Sequence, residues 1–76
     1  MEREEYKLLR ALVAARMQNL GISQRELGVS LGMSTSYVNK LLNGKRTIEL
    51  TELIDLCKEL DLDTVKVVES ILPPTE

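Results

Sequence analysis

Residues 23–43 leave this chain little choice of local shape. Ser23-Gln24-Arg25-Glu26 has the spacing of a capping box. In that arrangement a hydroxyl accepts from the amide three residues on, and the carboxylate there accepts from the first amide. Apolar or small residues follow at Leu27, Gly28 and Leu31. Gly32 then stops the helix, because a sharp stop uses the left-handed conformation that only glycine readily adopts. Met33 can seal the joint, and Ser34 is placed to cap a second helix. That helix carries Val38 and Leu41, three apart on one buried face, and ends at Asn43-Gly44, a second left-handed stop signal. The expected product is a rigid wedge of two short helices around a tight bend.

The rest of the chain reads as helix. Over residues 3–18, Tyr6, Leu9, Leu12, Val13 and Met17, continued by Leu20, recur at spacings of three and four, with Ala11, Ala14 and Ala15 adding helix propensity. Glu2, Glu4 and Glu5 crowd the start, where the helix dipole favours negative charge. Residues 19–21 end this helix, and Ile22 packs ahead of the Ser23 cap. Gly44-Lys45-Arg46-Thr47 is a polar, basic loop. A fourth helix is expected from just after Thr47 to near Leu60, burying Leu50, Leu53, Ile54, Leu56, Cys57 and Leu60. Asp63 is placed to cap a fifth over residues 64–72, with Val65, Val68, Ile71 and Leu72 as its apolar face. Pro73-Pro74 stops that helix, and residues 73–76 are expected to fray. The prediction is one all-α domain over residues 1–76.

Composition narrows the chemistry. Cys57 is the single cysteine and histidine is absent, so no disulfide can form within the chain, and neither a zinc site nor a cofactor is expected. With no histidine base, no paired-carboxylate motif and no glycine-rich phosphate loop, an enzyme is not expected. No apolar run approaches the roughly 18 residues of a membrane span, and no signal peptide is evident, which suggests a cytoplasmic protein without a membrane partner. The net charge of −2 is unevenly spread. Residues 1–47 hold eight Lys or Arg against four acids, whereas residues 48–76 hold two Lys against eight acids. The basic half contains the two-helix wedge, and that asymmetry suits a nucleic-acid phosphate backbone.

A wedge of this type is a helix-turn-helix, whose second helix can lie in a major groove while the first meets phosphate. Lys40 offers a donor for guanine O6 and N7, and Asn39 can pair bidentately with adenine. Ser34, Thr35 and Ser36 sit where the second helix starts and can contact DNA or simply cap. Gln24, at a helix N-terminus, can hand a phosphate to free backbone amides. Lys45 and Arg46 supply phosphate attraction. The Tyr37 ring is expected to pack, with its hydroxyl free to reach a phosphate.

The sequence resembles the Cro and phage-repressor group, also called the xenobiotic-response-element family of bacterial and phage regulators. The resemblance rests on residues 22–28, Leu31-Gly32-Met33-Ser34, Tyr37-Val38, Leu41, Asn43-Gly44-Lys45, Leu53, Leu56-Cys57 and Leu60, and covers roughly residues 8–63. It implies the five-helix lambda-repressor-like fold. It also implies a phosphate contact at Gln24, an outward recognition face of Thr35, Ser36, Asn39 and Lys40, and backbone contacts at Asn43 and Lys45. Two positions depart from the family. Gly28 stands where alanine is usual. Leu42 stands where a glutamate often pairs with an arginine corresponding to Arg16, which must then find another partner, such as a carboxylate of the fourth helix.

Two functions follow. The first is a sequence-specific double-stranded DNA-binding transcriptional regulator, a repressor in its simplest form. It would pair as a homodimer through the fifth helix, without a sensor domain, and be controlled by protein level or a regulatory protein partner. The alternative is a protein-interaction module, such as an antitoxin or accessory regulator, whose acidic C-terminal half binds a basic partner.

Overall fold

A computed structural model describes residues 3–73. Five helices follow in order: α1 (Glu4–Leu20), α2 (Gln24–Leu31), α3 (Thr35–Leu42), α4 (Leu50–Glu59) and α5 (Thr64–Ile71), with no strand among the described residues. Glu2 and the expected frayed residues 74–76 lie outside the described residues. One core joins all five helices: Leu9, Val13 and Met17 of α1 meet Leu27, Val38, Leu41, Leu56, Cys57 and Val67. Leu27 is fully enclosed at the joint of α2 and α3. Burying a leucine in this way stabilises a fold by about 1.5–3 kcal/mol.

Four helix ends use one device. The backbone turns left-handed at Gly21 and Gly32 (φ 69° each), at Gly44 (φ 85°) and at Asp61 (φ 55°). In each case the next amide reaches back to a carbonyl in the last turn. Ile22 N–H donates to Met17 O at 2.9 Å, Met33 N–H to Gly28 O at 2.8 Å, Lys45 N–H to Lys40 O at 3.1 Å, and Leu62 N–H to Cys57 O at 2.7 Å. Ile22, Met33 and Leu62 also pack on the core, completing the apolar half of a Schellman stop.

The structure corrects several expectations. α1 runs on through Leu20 and ends at Gly21, two residues later than expected. Within the expected Asn43-Gly44 stop, the left-handed residue is Gly44 (φ 85°) and Asn43 (φ −99°) is the cap. α4 starts at Leu50, because Ile48 is spent as a core residue in the loop before it. Leu50 (69% exposed) and Ile54 therefore face outward, although both fit a helical apolar stripe. On α5 the buried residue is Val67 (4% exposed), and Val65 (68% exposed) points to solvent. α5 ends at Ile71, with Leu72 extended ahead of Pro73, as a residue preceding proline prefers.

Arg16 finds carbonyls in place of a carboxylate. Its Nε donates to Leu60 O at 2.9 Å and its Nη2 to Asp61 O at 3.5 Å, answering acceptors that the end of α4 leaves open.

Candidate nucleic-acid interface

The angle between α2 and α3 is set by a backbone-to-backbone contact. A Cβ placed on Gly28 would lie 2.7 Å from the Met33 carbonyl oxygen, closer than a methyl group can sit. The departure from alanine thus has a steric cause: in this chain the bend crosses α2 with no side chain between. Both helices are capped as the sequence predicts. Ser23 N–H donates to Glu26 Oε1 at 3.0 Å, and Glu26 N–H donates to Ser23 Oγ at 3.1 Å. The Ser23 amide and then its hydroxyl hold the Glu26 carboxyl below its ordinary range. Ser34 Oγ accepts from Tyr37 N–H at 3.1 Å.

With Val38 and Leu41 buried, the opposite side of α3 carries Thr35, Ser36, Asn39 and Lys40, all exposed. The Thr35, Ser36 and Lys40 side chains make no hydrogen bond or ion pair among the described residues. Three amide side chains form a continuous line beside them. Asn43 Nδ2 donates to Asn39 Oδ1 at 3.0 Å, and Asn39 Nδ2 donates to Gln24 Oε1 at 3.2 Å. The Lys45 amide donates to Asn43 Oδ1 at 3.1 Å, joining the loop to the same line. The structure thus brings Gln24, Asn39, Asn43 and Lys45 together, although sequence reasoning gave no link among them.

The loop after α3 is held from below by two residues that the sequence reading did not single out. Buried Arg10 donates from Nε to Leu41 O at 2.7 Å and from Nη2 to Arg46 O at 3.1 Å. Its position on the stripe of Val13 and Met17 was the available signal. Glu52 is buried as well. Its Oε1 accepts from Glu49 N–H at 2.9 Å, and its Oε2 accepts from the Tyr37 hydroxyl. Tyr37 therefore turns its hydroxyl toward α4, where the sequence reading had it free for a phosphate. The Arg46 guanidinium lies 4.4 Å from the centre of the Tyr37 ring, a cation–π distance.

Burial pushes the Glu52 carboxyl up. The Tyr37 hydroxyl, the Glu49 amide and the Arg46 charge outweigh that and hold it below the usual glutamate range. The bond to Glu52, helped by burial, raises Tyr37 and keeps its phenol protonated. Arg46 is thus seated on a ring whose hydroxyl is held by Glu52, and it follows Lys45 directly in the loop.

A two-helix wedge, an exposed outer face on its second helix and a basic loop after it give the form of a helix-turn-helix domain. The profile of the helix-turn-helix family matches residues 6–67. The chain belongs to the Cro and phage-repressor-like family of helix-turn-helix transcriptional regulators. An XRE-family like protein from Pseudomonas syringae pv. tomato str. DC3000 is similar, with 29% identity, a TM-score of 0.81, and coverage of 91% of this chain and 88% of that one. The clp gene regulator ClgR from C. glutamicum shares the fold, with a TM-score of 0.78 and 21% identity over 92% of this chain and 91% of that one. A search of curated proteins gave no match.

Proposed function

We propose that this regulator is a sequence-specific repressor that lays α3 in the major groove of double-stranded DNA. The observation carrying this reading is the unpartnered Lys40 on the outward face of α3, flanked by Thr35 and Ser36 and next to the loop bearing Lys45 and Arg46. In this reading Lys40, Thr35 and Ser36 face base edges, and Gln24, Asn43, Lys45 and Arg46 face phosphates. Ser34 and Tyr37 act behind that face, one as a cap and the other as the seat of Arg46.

The protein acts as a two-fold homodimer, which sets two recognition helices about 34 Å apart, one turn of DNA. Exposed Val65 and Leu72, at the two ends of α5, support pairing through this helix.

Selection of bound DNA from a random pool tests the proposal, and a two-fold symmetric consensus is the expected result. Changing both Lys40→Ala and Lys45→Ala should abolish retention of that site in a gel shift. Titrating salt should show that Lys45→Ala flattens the dependence of log affinity on log salt by about 0.9, the share of one lost phosphate contact. No DNA affinity at low salt, together with tight binding to a basic protein, would instead support an interaction module.

A further inference from the structure

The amide line from α2 to the loop after α3 has a direction, and this direction assigns a role to its middle member. Each link points the same way: Lys45 N–H into Asn43, Asn43 into Asn39, Asn39 into Gln24. Every amide oxygen in the line accepts from a neighbour. Every amide nitrogen keeps at least one unused proton, and Gln24, at the end, keeps both, since each such group carries two. The line is thus an uncharged strip that has engaged its acceptors internally and keeps spare donors, those of Asn39 and Asn43 on exposed residues. Oxygens of a phosphate backbone match such a strip, because they accept and do not donate.

We propose that Asn39 is a positioning residue and does not itself read a base: it aims Gln24 and Asn43 together at the DNA backbone. The proposal rests on the DNA-binding reading above. Asn39 is suited to this task by its place. It projects from the middle of α3, within reach of both the first residue of α2 and the cap residue of α3. Its oxygen and nitrogen are already committed in opposite directions, which fixes the amide plane. An adenine would need that same plane turned to its own edge.

Salt separates this role from that of the lysines. Counterion release follows the charge that Lys and Arg bring to phosphate, so uncharged donors add affinity without adding to the salt slope.

The test uses the full chain, its selected operator duplex and a random duplex. Asn39→Ala should weaken binding to both duplexes by a similar factor, about tenfold, as for a lost hydrogen-bonding unit. Its salt slope should match that of the unaltered protein, and selection with the variant should return the same consensus. Gln24→Ala combined with Asn39→Ala should cost little more than the worse single change, because both break one unit. Unchanged thermal unfolding of Asn39→Ala, whose side chain is exposed, would show that the folded state is intact.

A consensus relaxed at one base pair would overturn the proposal and make Asn39 a base reader, with the DNA-binding reading still standing. Strict additivity of the two changes, or no loss of affinity in Asn39→Ala, would overturn it too. No DNA binding by the unaltered chain would overturn the proposal and the reading beneath it together.

Discussion

At the scale of single residues, Gly28 carries the tightest constraint. Alanine there would gain up to about 1 kcal/mol of helix propensity. Its methyl would meet the Met33 carbonyl at 2.7 Å, and the obstacle is backbone, which cannot swing aside as a side-chain tip can. Overfilling a packed site costs typically about 1–3 kcal/mol, and a backbone obstacle falls toward the upper end. Gly28→Ala should therefore lower stability by about 1–2 kcal/mol, because strain exceeds the gain in propensity. Thermal unfolding would check this, at a shift of roughly 4–8 °C per kcal/mol for a domain of this size. A rise in melting temperature would mean that the bend yields more easily than its geometry implies.

Helices show the same economy at their ends. Of the four left-handed stops, those after α1, α2 and α3 use glycine, but α4 uses Asp61 at φ 55°. A side chain in that conformation is strained, and only the Asp61 backbone oxygen is used by Arg16. Asp61→Gly should raise stability by about 0.5–1 kcal/mol, readable as a higher denaturation midpoint at an unchanged slope. The glycine stops and the Ser23, Ser34 and Asp63 caps were legible in the sequence, because each is a local bargain between a side chain and nearby backbone. The inward face of a helix is a different matter. Leu50, Ile54 and Val65 all fit an apolar period, yet of the α4 stripe only Leu53, Leu56, Cys57 and Leu60 are covered, and on α5 Val67 is buried in place of Val65. Which stripe is covered depends on the crossing of two helices, and no single segment encodes it. The candidate interface divides the same way. The exposed row of α3 followed from Val38 and Leu41 being inside, whereas the Gln24–Asn39–Asn43 line needed α2 and α3 to be set side by side.

Across the whole molecule, buried polar groups tie the recognition surface to the helices behind it. Glu52 links α4 to Tyr37 on α3 and lies near Arg46 in the loop. Its carboxyl is held below its ordinary value in the folded state, so the unfolded chain takes up the proton first as pH falls. The stabilisation from this group is therefore complete above the ordinary glutamate value and is lost as pH drops through the depressed one. Glu52→Gln should flatten part of the acid-side loss of stability, measured by denaturant unfolding from neutral to acid pH. The Glu26 capping box, depressed in the same direction, should keep the rest. Tyr37 gives the opposite edge. Its raised value contributes stability below the ordinary phenol range, and that is lost as pH climbs through the raised one. The two guanidiniums of α1 have a last consequence, for anyone who would transplant the reading head. Arg10 answers Leu41 O and Arg46 O at one end, and Arg16 answers Leu60 O and Asp61 O at the other. A graft of residues 23–47 onto a foreign scaffold would carry the first two oxygens away from their donor, Arg10. The host would have to supply a cation at the same height, or the borrowed helix would arrive with a loose end.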